Sequence, residues 1–324
     1  MSENPLVSVL IPCYNHEAFL DDCLTGILQQ TYDNIELLIC DDCSPDNSYQ
    51  MIQAYAPRLR ERFSRVEILC NEVNCGVTKN INRMLAMAKG AYIKILASDD
   101  AMLPEAIEEM VNCFTENPQY SVVVANGVRV PEEQHYGNFN ASVKIYEEAP
   151  DFSPEGFFTR VARCNCIFAP GAMVKRSVYQ TYGCYDETIP IEDMEYWLRL
   201  LKTGTVFFGY VADPLIYYRI NSNSMSSVAN NAGLEKRRRR MHNAVMDILQ
   251  KHRDGFAPGV FEEITLSYMF NERAFAVRNG LTRWAAELQT QQHQFSGWNA
   301  LPLKKRFRMG LRLMKMDLRT LCRR

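Results

Sequence analysis

Hydrophobic and polar positions follow two periods over the first 130 residues of the chain. Short, nearly continuous apolar runs are typical of buried strands, and between them apolar residues recur at helical spacing. The predicted strands are Leu6–Ile11, Ile35–Cys40, Val66–Cys70, Tyr92–Leu96 and Ser121–Ala125. Strands that alternate with helices in this way favour a mostly parallel sheet with helices on both faces. We therefore expect an α/β fold.

The pattern changes along the rest of the chain. Two strand-like runs, Val206–Tyr210 and Leu215–Arg219, lie among aromatic residues, glycines and prolines, and Glu192–Lys202 is predicted as a helix with its acids first. From about residue 230 the spacing of apolar residues is helical. The expected organisation is a domain at 1–226, made of a first half at 1–130 and a second half at 131–226, then a helical region at 227–300 and a tail helix at 301–324.

Composition excludes several protein classes. Of 324 residues, 47% are apolar and 23% are charged, which excludes a disordered or collagen-like chain. The net charge of −2 gives no global case for binding nucleic acid. The first residues lack a secretory-signal pattern and no long apolar run follows, so we expect a cytoplasmic protein without a membrane-spanning helix. The eleven cysteines have irregular spacings and are interpreted as buried free thiols.

The last 24 residues differ from the rest of the chain. Residues 301–324 hold nine Lys and Arg residues against one acid, Asp317. An apolar stripe at spacings of 4, 3, 4 and 3 runs through Phe307, Leu311, Met314, Leu318 and Leu321. This pattern predicts a basic amphipathic helix that lies on an anionic membrane surface. The alternative is a helix that packs on its own domain or on a partner chain.

Polar residues follow three of the predicted strands at the point where each strand ends. They are the turn Pro12–Asn15, the pair Asp41–Asp42 and the run Ser98–Asp100. In parallel sheets, ligands bind beyond these strand ends. Carboxylates that share such a crevice repel each other unless a cation or a donor-rich ligand is present, and Mg²⁺ or Mn²⁺ usually brings phosphates with it. The sequence therefore predicts a metal–diphosphate site, although either acidic pair alone is also typical of a turn or helix cap.

The kind of phosphorylated ligand is narrowed by two missing motifs. A dinucleotide site would need GxGxxG after the first strand, and a P-loop would need GxxxxGK[ST]. The turn after the first strand is Pro12–Glu17 and contains no glycine, and the P-loop pattern is absent from the chain. A sugar nucleotide is the remaining common choice, since its base can stack on a ring such as Tyr14 and its base and ribose can donate to carboxylates.

Several spaced motifs together resemble a known family. The motifs are Val7–Asn15, Leu28–Tyr32, Asp41–Asp46, Asn74–Gly76, Lys79–Asn80, Gly90–Ile93, Ser98–Asp100, Gly183–Glu187, Glu192–Leu200 and Tyr218–Asn221. In this order they are similar to the family 2 glycosyltransferases of the GT-A fold, over about residues 5–226. The resemblance implies a GT-A nucleotide-sugar-binding fold of the bacterial surface-polysaccharide type, followed here by a helical C-terminal extension.

The resemblance also implies a reaction. The enzyme would transfer a sugar, with inversion, from a nucleoside-diphosphate donor to a hydroxyl of a glycan or polyprenyl-linked glycan acceptor. A UDP-sugar is the favoured donor, Mn²⁺ or Mg²⁺ is the expected cofactor, and an O-antigen or capsule-type polysaccharide is the expected product. Such a transfer needs a carboxylate that accepts the proton of the acceptor hydroxyl, and a metal that stabilises the leaving diphosphate.

Individual roles carry over position by position. Tyr14 matches the ring that packs on the base, Asp42 the carboxylate that accepts from it, and Lys79 a basic position near the nucleotide. Asp99 would hold the ribose. The full set implied to bind the nucleotide sugar is Pro12, Tyr14, Asn15, Glu17, Asp41, Asp42, Lys79, Ser98 and Asp99.

Two further carboxylates complete the implied site. Asp100 would bind the metal that bridges the diphosphate oxygens, and Asp193 would be the general base. Glu192 and Glu195, which flank Asp193 on the same predicted helix, are the alternative bases.

Two positions depart from the family pattern. Ser98 stands where the DxD-type motif has its first carboxylate, and Asn221 stands where many relatives have histidine. Because an amide is neither a strong metal ligand nor a cation, the role of Asn221 stays open at this stage.

Two other functions are weighed against this one. A nucleotidyltransferase that makes sugar nucleotides would need a glycine-rich, arginine-bearing loop after the first strand, and that loop has no glycine here. A catalytically degenerate, membrane-associated scaffold of the same fold would have no need of its carboxylates. The chain keeps Asp42, Asp99, Asp100 and Asp193.

Overall fold

The computed structural model describes residues 4–137, 143–221 and 233–295, and the chain divides into two compact units. The first unit comprises Met1–Phe157, Cys166–Thr188 and Arg199–Ser227. The second unit comprises Phe158–Asn165, Ile189–Leu198 and Val228–Arg324. The domain boundaries expected at residues 130, 226 and 300 stay predictions, and the tail at 301–324 lies outside the described residues.

The described part of the first unit contains one sheet of nine strands. The strands are β1 Val7–Cys13, β2 Ile35–Asp41, β3 Arg65–Cys70, β4 Tyr92–Ile95, β5 Ala101–Met102, β6 Tyr120–Pro131, β7 Val143–Lys144, β8 Ala172–Lys175 and β9 Phe207–Ile220. Their order is β3-β2-β1-β4-β8-β6-β9-β5, and β7 pairs with β6. The sheet is parallel over β3-β2-β1-β4 and mixed beyond, because β8 runs antiparallel to both β4 and β6. The predicted α/β fold is confirmed.

Ten α-helices are present in the described residues. They are α1 Glu17–Leu28, α2 Ser48–Arg62, α3 Val77–Met87, α4 Ala106–Glu116, α5 Phe157–Cys164, α6 Arg176–Tyr182, α7 Glu192–Leu201, α8 Leu234–Lys251, α9 Val260–Arg278 and α10 Thr282–Gln294. Two short 3-10 turns lie at Ala169–Gly171 and Arg253–Gly255. Within the described ranges, none of these helices combines the length and the apolar character needed to cross a membrane.

The parallel strands form the core of the first unit. All seven residues of β2 are buried, because both faces of the sheet are covered and the strand is therefore apolar almost throughout rather than alternating. Gly90 precedes β4 and approaches β1 so closely that a Cβ there would lie 2.6 Å from the backbone nitrogen of Ser8. Its own N–H donates to Ser8 Oγ at 2.9 Å. This close approach sets β4 beside β1 and thereby places the acidic turn that follows β4.

Two runs predicted as separate strands belong to one strand, β9. The pairing of β9 with β6 shifts register on both sides of Asn126. Such an irregularity adds residues to one strand without ending the ladder. The polar residues around Asp213 therefore interrupt the apolar pattern but not the strand, and β9 continues to Ile220.

The second unit contains the C-terminal helices. A small apolar cluster joins α9 and α10 through Ala276, Trp284, Ala285 and Leu288. On α8, Arg238 pairs with Glu272 of α9, and Arg239 pairs with Glu287 of α10. Apolar packing and ion pairs thus connect these three helices.

The cysteines are free thiols, but the expectation that they are buried is wrong for half of the ten described. Each of the exposed five lies within two residues of the end of a helix or strand. They are Cys43, Cys70, Cys75, Cys164 and Cys184.

Candidate functional site

The turns that follow β1 and β2 are joined by hydrogen bonds. The backbone N–H of Asn15 donates to Ser44 Oγ at 2.9 Å, and that of Glu17 donates to Asp46 Oδ2 at 2.9 Å. The Glu17 carboxylate in turn accepts from the backbone N–H of Asn47 at 3.1 Å and from its side-chain amide at 2.8 Å. Asn15 and Glu17 therefore fix the two turns against each other.

The turn after β1 presents an aromatic ring at its surface. Pro12 is a half-buried residue of β1, and the Tyr14 side chain is 46% exposed. Asn15 has a φ of 56°, a left-handed conformation in which asparagine is enriched among non-glycine residues. Tyr14 is the residue of this turn best placed to offer a flat apolar face to a ligand.

The carboxylate of Asp42 lies in a cradle of donors. Its Oδ1 accepts from the backbone N–H of Cys75 at 2.7 Å and from Asn71 Nδ2 at 2.8 Å, and its Oδ2 accepts from the backbone N–H of Gly76 at 2.8 Å. Burial opposes the ionised form, but these hydrogen bonds outweigh it and hold the pKa of Asp42 below its usual value. Asp42 is therefore a fixed, ionised acceptor.

Asp41 and Lys79 flank this cradle in different ways. Asp41 is buried and accepts from the backbone N–H of Ser44 at 3.0 Å and from Ser44 Oγ at 2.6 Å, which closes the turn after β2. Lys79 is exposed on the first turn of α3, the helix that begins directly after Gly76. Asp41 thus shapes the turn, whereas the Lys79 ammonium is open to solvent.

His16 connects the first turn to the acidic turn after β4. Its Nδ1 lies 2.8 Å from Ser98 Oγ, and its Nε2 lies 3.8 Å from Asp99 Oδ2. Asn221, beyond the end of β9, donates to Asp99 Oδ2 at 3.5 Å. The Asp99 carboxylate therefore lies between an imidazole and an amide. The sequence left the role of Asn221 open, and the structure shows that its side-chain amide contacts the Asp99 carboxylate.

Asp100 is 2% exposed and faces the interior of the first unit. Its Oδ1 accepts from the backbone N–H of Arg219 at 2.9 Å. Burial and the neighbouring charge of Asp99 raise the pKa of Asp100 well above its usual value, against the hydrogen bond from Arg219 and the positive charge of Lys94. A cation would relieve this unfavourable pair of carboxylates.

Arg219 is a residue of the site whose position sequence reasoning missed. Its buried guanidinium donates to Asp22 Oδ2 of α1 at 2.6 Å, to the backbone oxygen of Asp99 at 2.9 Å and to that of Glu132 at 3.1 Å. The signal available in the sequence was its place in the Tyr218–Asn221 motif. Arg219 ties the end of β9 to α1 and to the acidic turn.

A divalent cation fits the donor set at this turn. Among the described residues, no three His, Cys, Asp or Glu side chains are grouped to hold a metal. Mg²⁺ sites, however, commonly use only one or two carboxylates and complete the shell with water and substrate phosphates. Asp100 supplies one such carboxylate beside Asp99, and a bound cation would offset the burial and the Asp99 charge that raise the pKa of Asp100.

The second unit holds Asp193, in the first turn of α7. Its Oδ2 accepts from Asn165 Nδ2 at 3.0 Å, and its Oδ1 accepts from the backbone N–H of Met194 at 2.7 Å. Burial raises the pKa of Asp193, and it raises that of Glu192 to about 7 with help from the Asp193 charge. Of the two alternative bases, Glu195 is fully buried and bound to Lys251 at 2.8 Å.

The predicted residues thus occur in two places. The ends of β1, β2 and β4 in the first unit carry the predicted nucleotide and metal residues, with Lys79 on the neighbouring α3. These are Pro12, Tyr14, Asn15, Glu17, Asp41, Asp42, Lys79, Ser98, Asp99 and Asp100. Asp193 belongs to the second unit.

The model of glycosyl transferase family 2 matches residues 8–183, which is more than half of the chain. The protein therefore belongs to glycosyl transferase family 2, as its motifs predicted, and it is a glycosyltransferase. The match includes the turns after β1, β2 and β4 and ends before Asp193.

Two bacterial proteins illustrate its relatives. EpsE of Bacillus subtilis strain 168, named as a glycosyltransferase, is 30% identical over 221 residues, which are 67% of this chain and 73% of EpsE. The Escherichia coli protein WfgD is named as a UDP-Glc:alpha-D-GlcNAc-diphosphoundecaprenol beta-1,3-glucosyltransferase. It is 27% identical over 226 residues, which are 68% of this chain and 80% of WfgD.

Solved structures share the fold at low sequence identity. Residues 1–349 of S. aureus TarS, in complex with UDP-GlcNAc, match with a TM-score of 0.62 and 17% identity, over 93% of this chain and 82% of that one. The mannosyltransferase PcManGT from Pyrobaculum calidifontis, in complex with GDP-Man and Mn²⁺, matches with a TM-score of 0.58 and 16% identity, over 99% of this chain and 88% of that one. This protein spans half of the length of a longer solved TarS chain. The likeness confirms the GT-A fold.

Proposed function

We propose that this protein is an inverting, metal-dependent glycosyltransferase. It moves a sugar from a UDP-sugar to a hydroxyl of a glycan or polyprenyl-linked glycan, in O-antigen or capsule-type polysaccharide synthesis. The observation that carries the proposal is the edge of the parallel sheet, where the ends of β1, β2 and β4 bear Tyr14, Asp42 and the acidic turn. The choice of UDP is supported by the name of WfgD, which gives UDP-Glc as its donor, and by the UDP-GlcNAc complex of TarS.

The nucleoside of the donor binds at the turns after β1 and β2. The Tyr14 ring stacks on the base, and Asp42 accepts the N–H of the base. The donors of Cys75, Asn71 and Gly76 already hold the Asp42 carboxylate in place and ionised, which suits it to accept from the base. The exposed ammonium of Lys79 draws the negative diphosphate toward the site.

Asp99 and Asp100 bind the ribose and the diphosphate side of the donor. Asp99, the more exposed of the two, receives the ribose, while Asp100 keeps its Oδ2 for Mn²⁺ or Mg²⁺, since its Oδ1 accepts from Arg219. A divalent cation bound there acts as a Lewis acid that stabilises the charge on the leaving nucleoside diphosphate. The Mn²⁺ named with PcManGT supports this cofactor.

Asp193 is the general base within the second unit. An inverting transfer is a displacement at the anomeric carbon, in which the acceptor oxygen bonds to the sugar as the diphosphate leaves. The proton of the acceptor hydroxyl goes to a carboxylate. Burial raises the pKa of Asp193, which makes this carboxylate more basic than an ordinary aspartate.

A thermal-shift panel of UDP, GDP, dTDP and CDP, each with and without Mn²⁺, tests the donor site. A ligand at about 100 times its Kd stabilises the folded state by roughly 2.7 kcal/mol, which raises the melting temperature by several degrees. We expect a rise with UDP that requires Mn²⁺, is lost in Asp100→Asn, and persists in the surface control Glu116→Gln. A rise that does not require Mn²⁺ would contradict the metal site, and no rise with any nucleotide would favour a scaffold over an enzyme.

The proposed location of the enzyme follows from its basic C-terminal segment. The basic residues at 301–324 place it on the cytoplasmic face of the inner membrane, close to a polyprenyl-linked acceptor. The proposal for this segment comes from its sequence alone.

A further inference from the structure

The segment that follows α5 places an amide against the carboxylate proposed as the general base. Asn165 is the first residue after α5, and its backbone N–H donates to the oxygen of Val161 at 2.7 Å, as expected at a helix end. Its side chain donates from Nδ2 to Asp193 Oδ2 at 3.0 Å. Both residues lie in the second unit, on segments 28 residues apart in sequence.

The backbone at Asn165 does not by itself explain the asparagine side chain. Its φ of 43° is in the left-handed region, where glycine is the usual residue after a helix and asparagine the next. The amide oxygen Oδ1 is buried and accepts no hydrogen bond from the described residues. A buried oxygen without a donor costs free energy that glycine would avoid. The polar contact that the structure gives this side chain is therefore the hydrogen bond to Asp193.

We propose that Asn165 is a positioning residue for Asp193. Its N–H holds the carboxylate ionised and in one orientation, so that Asp193 can take the proton of the acceptor hydroxyl at neutral pH. This inference rests on the proposed function, in which Asp193 is the base. Asn165 itself exchanges no proton and acts only through the Asp193 carboxylate.

The groups around Asp193 determine the direction of the effect. Burial raises the pKa of Asp193, whereas the hydrogen bonds from Asn165 and Met194 lower it. Burial and the charge of Asp193 raise the pKa of Glu192, the neighbouring carboxyl on α7, to about 7. Loss of the Asn165 donor therefore leaves only the backbone hydrogen bonds against burial, and the pKa of Asp193 rises further.

Other charged groups on the neighbouring elements already have partners. Glu195 binds Lys251 at 2.8 Å and lies 3.4 Å from His252 Nε2. Arg163 of α5 pairs with Glu263 of α9 at 3.0 Å. Because Asn165 is neutral, its removal takes a hydrogen-bond donor from Asp193 without changing the charge around that carboxylate.

Two variants separate positioning from structure. Asn165→Gly keeps the left-handed backbone and removes the donor, whereas Asn165→Asp keeps the shape and sets a second carboxylate against Asp193. The readout is the pKa of Asp193 in full-length protein labelled with ¹³C at the aspartate carboxyl, with the signal assigned by its loss in Asp193→Asn. We expect a rise of about one pH unit in Asn165→Gly, from loss of one hydrogen bond to a charged group, and a larger rise in Asn165→Asp. The control is Asn279→Gly, at the end of α9, which should leave the Asp193 signal unchanged.

Activity provides the second readout. UDP release is followed with UDP-glucose and UDP-GlcNAc, with water as the acceptor, and the acidic limb of kcat should move to higher pH in step with the pKa of Asp193. A lower melting temperature in Asn165→Gly without a shift of that pKa would make Asn165 a structural residue and overturn the inference. Full turnover by Asp193→Asn would instead contradict the proposed base, and the positioning role would fall with it. If Asp193→Asn released no UDP and Asn165→Gly left the pKa of Asp193 unchanged, the positioning role of Asn165 would be overturned while Asp193 remained the proposed base.

Discussion

Asp42 and Asp100 are similarly buried carboxylates whose pKa values shift in opposite directions. They are 3% and 2% exposed. Asp42 accepts from two backbone N–H groups and an amide, and these outweigh the cost of burial. Asp100 accepts one backbone N–H from Arg219 and lies beside the charge of Asp99, so burial prevails. The number of donors therefore favours the ionised form of Asp42, whereas burial and the charge of Asp99 favour the protonated form of Asp100.

The substitution Asp42→Asn tests the first half of this contrast. An amide nitrogen in place of one carboxylate oxygen would face the N–H of Gly76 or Cys75, and donors cannot pair with donors. We expect a loss of about 2 kcal/mol in the free energy of unfolding and a roughly tenfold weaker Kd for UDP. Urea unfolding and calorimetric titration measure the two effects. UDP binding equal to that of the wild type would exclude Asp42 from the nucleotide site.

The pH dependence of this destabilisation has a definite sign. Because hydrogen bonds hold the pKa of Asp42 below its ordinary value, its stabilising effect is present above about pH 4 and is lost as the pH falls through the folded-state pKa. The difference in melting temperature between the wild type and Asp42→Asn should therefore be larger at pH 7 than at pH 3. A difference that stays constant would mean that the shape of the cradle, rather than the charge, stabilises the turn.

Residues of the site were predictable to different degrees. The carboxylates at 41, 42, 99 and 100 follow strands within short motifs, and the structure places them at the strand ends as expected. Arg219 pairs with Asp22, 197 residues away in sequence. Asn165 contacts Asp193 across 28 residues. A local pattern carries no information about such partners, because tertiary packing alone brings them together.

At the scale of elements, β1 and β2 were predicted to within two residues at each end, whereas β9 was predicted as two separate strands. The first two are buried on both faces, so each is a nearly continuous apolar run that ends where the chain reaches the polar edge. β9 changes register beside β6, and its polar middle hid its continuity. The antiparallel insertion of β8 between β4 and β6 was also beyond sequence reasoning, since a four-residue run does not report its partner.

The end of β9 should depend on one buried ion pair. Arg219 and Asp22 are both almost fully buried and join β9 to α1 at 2.6 Å. In Arg219→Met, Asp22 keeps the backbone N–H of Tyr136 at 2.7 Å but loses its buried cation, and we expect a cost of roughly 3–5 kcal/mol. Asp22→Asn in the same background should recover part of this cost. The cycle is measured by urea unfolding of the wild type, both single variants and the double variant. Strictly additive effects would show that the two residues do not stabilise each other.

At the scale of the whole molecule, the family match and the likeness to solved structures cover different parts of the chain. The family match spans residues 8–183 and includes the strand ends of the first unit, which explains why the nucleotide residues could be named from motifs. The fold likeness to TarS reaches 93% of the chain, but at 17% identity it supports the fold rather than the chemistry of the remaining residues. Asp193 and the C-terminal helices lie beyond the residues that the family model matches.

The segment 301–324 provides the test at this scale. With nine Lys and Arg residues, one acid and an apolar stripe, it should bind anionic vesicles, since each basic residue near such a surface contributes about 1 kcal/mol at low salt. In flotation with phosphatidylglycerol vesicles, we expect the full chain to float and a chain that ends at residue 300 to remain at the bottom. The full chain should not float with phosphatidylcholine vesicles, or with phosphatidylglycerol vesicles at high salt. The double substitution Leu311→Glu and Leu318→Glu should also abolish flotation, because it breaks the apolar stripe. Equal flotation of the full and shortened chains would place membrane contact elsewhere. Flotation of neither would favour a helix that packs on its own domain or on a partner chain.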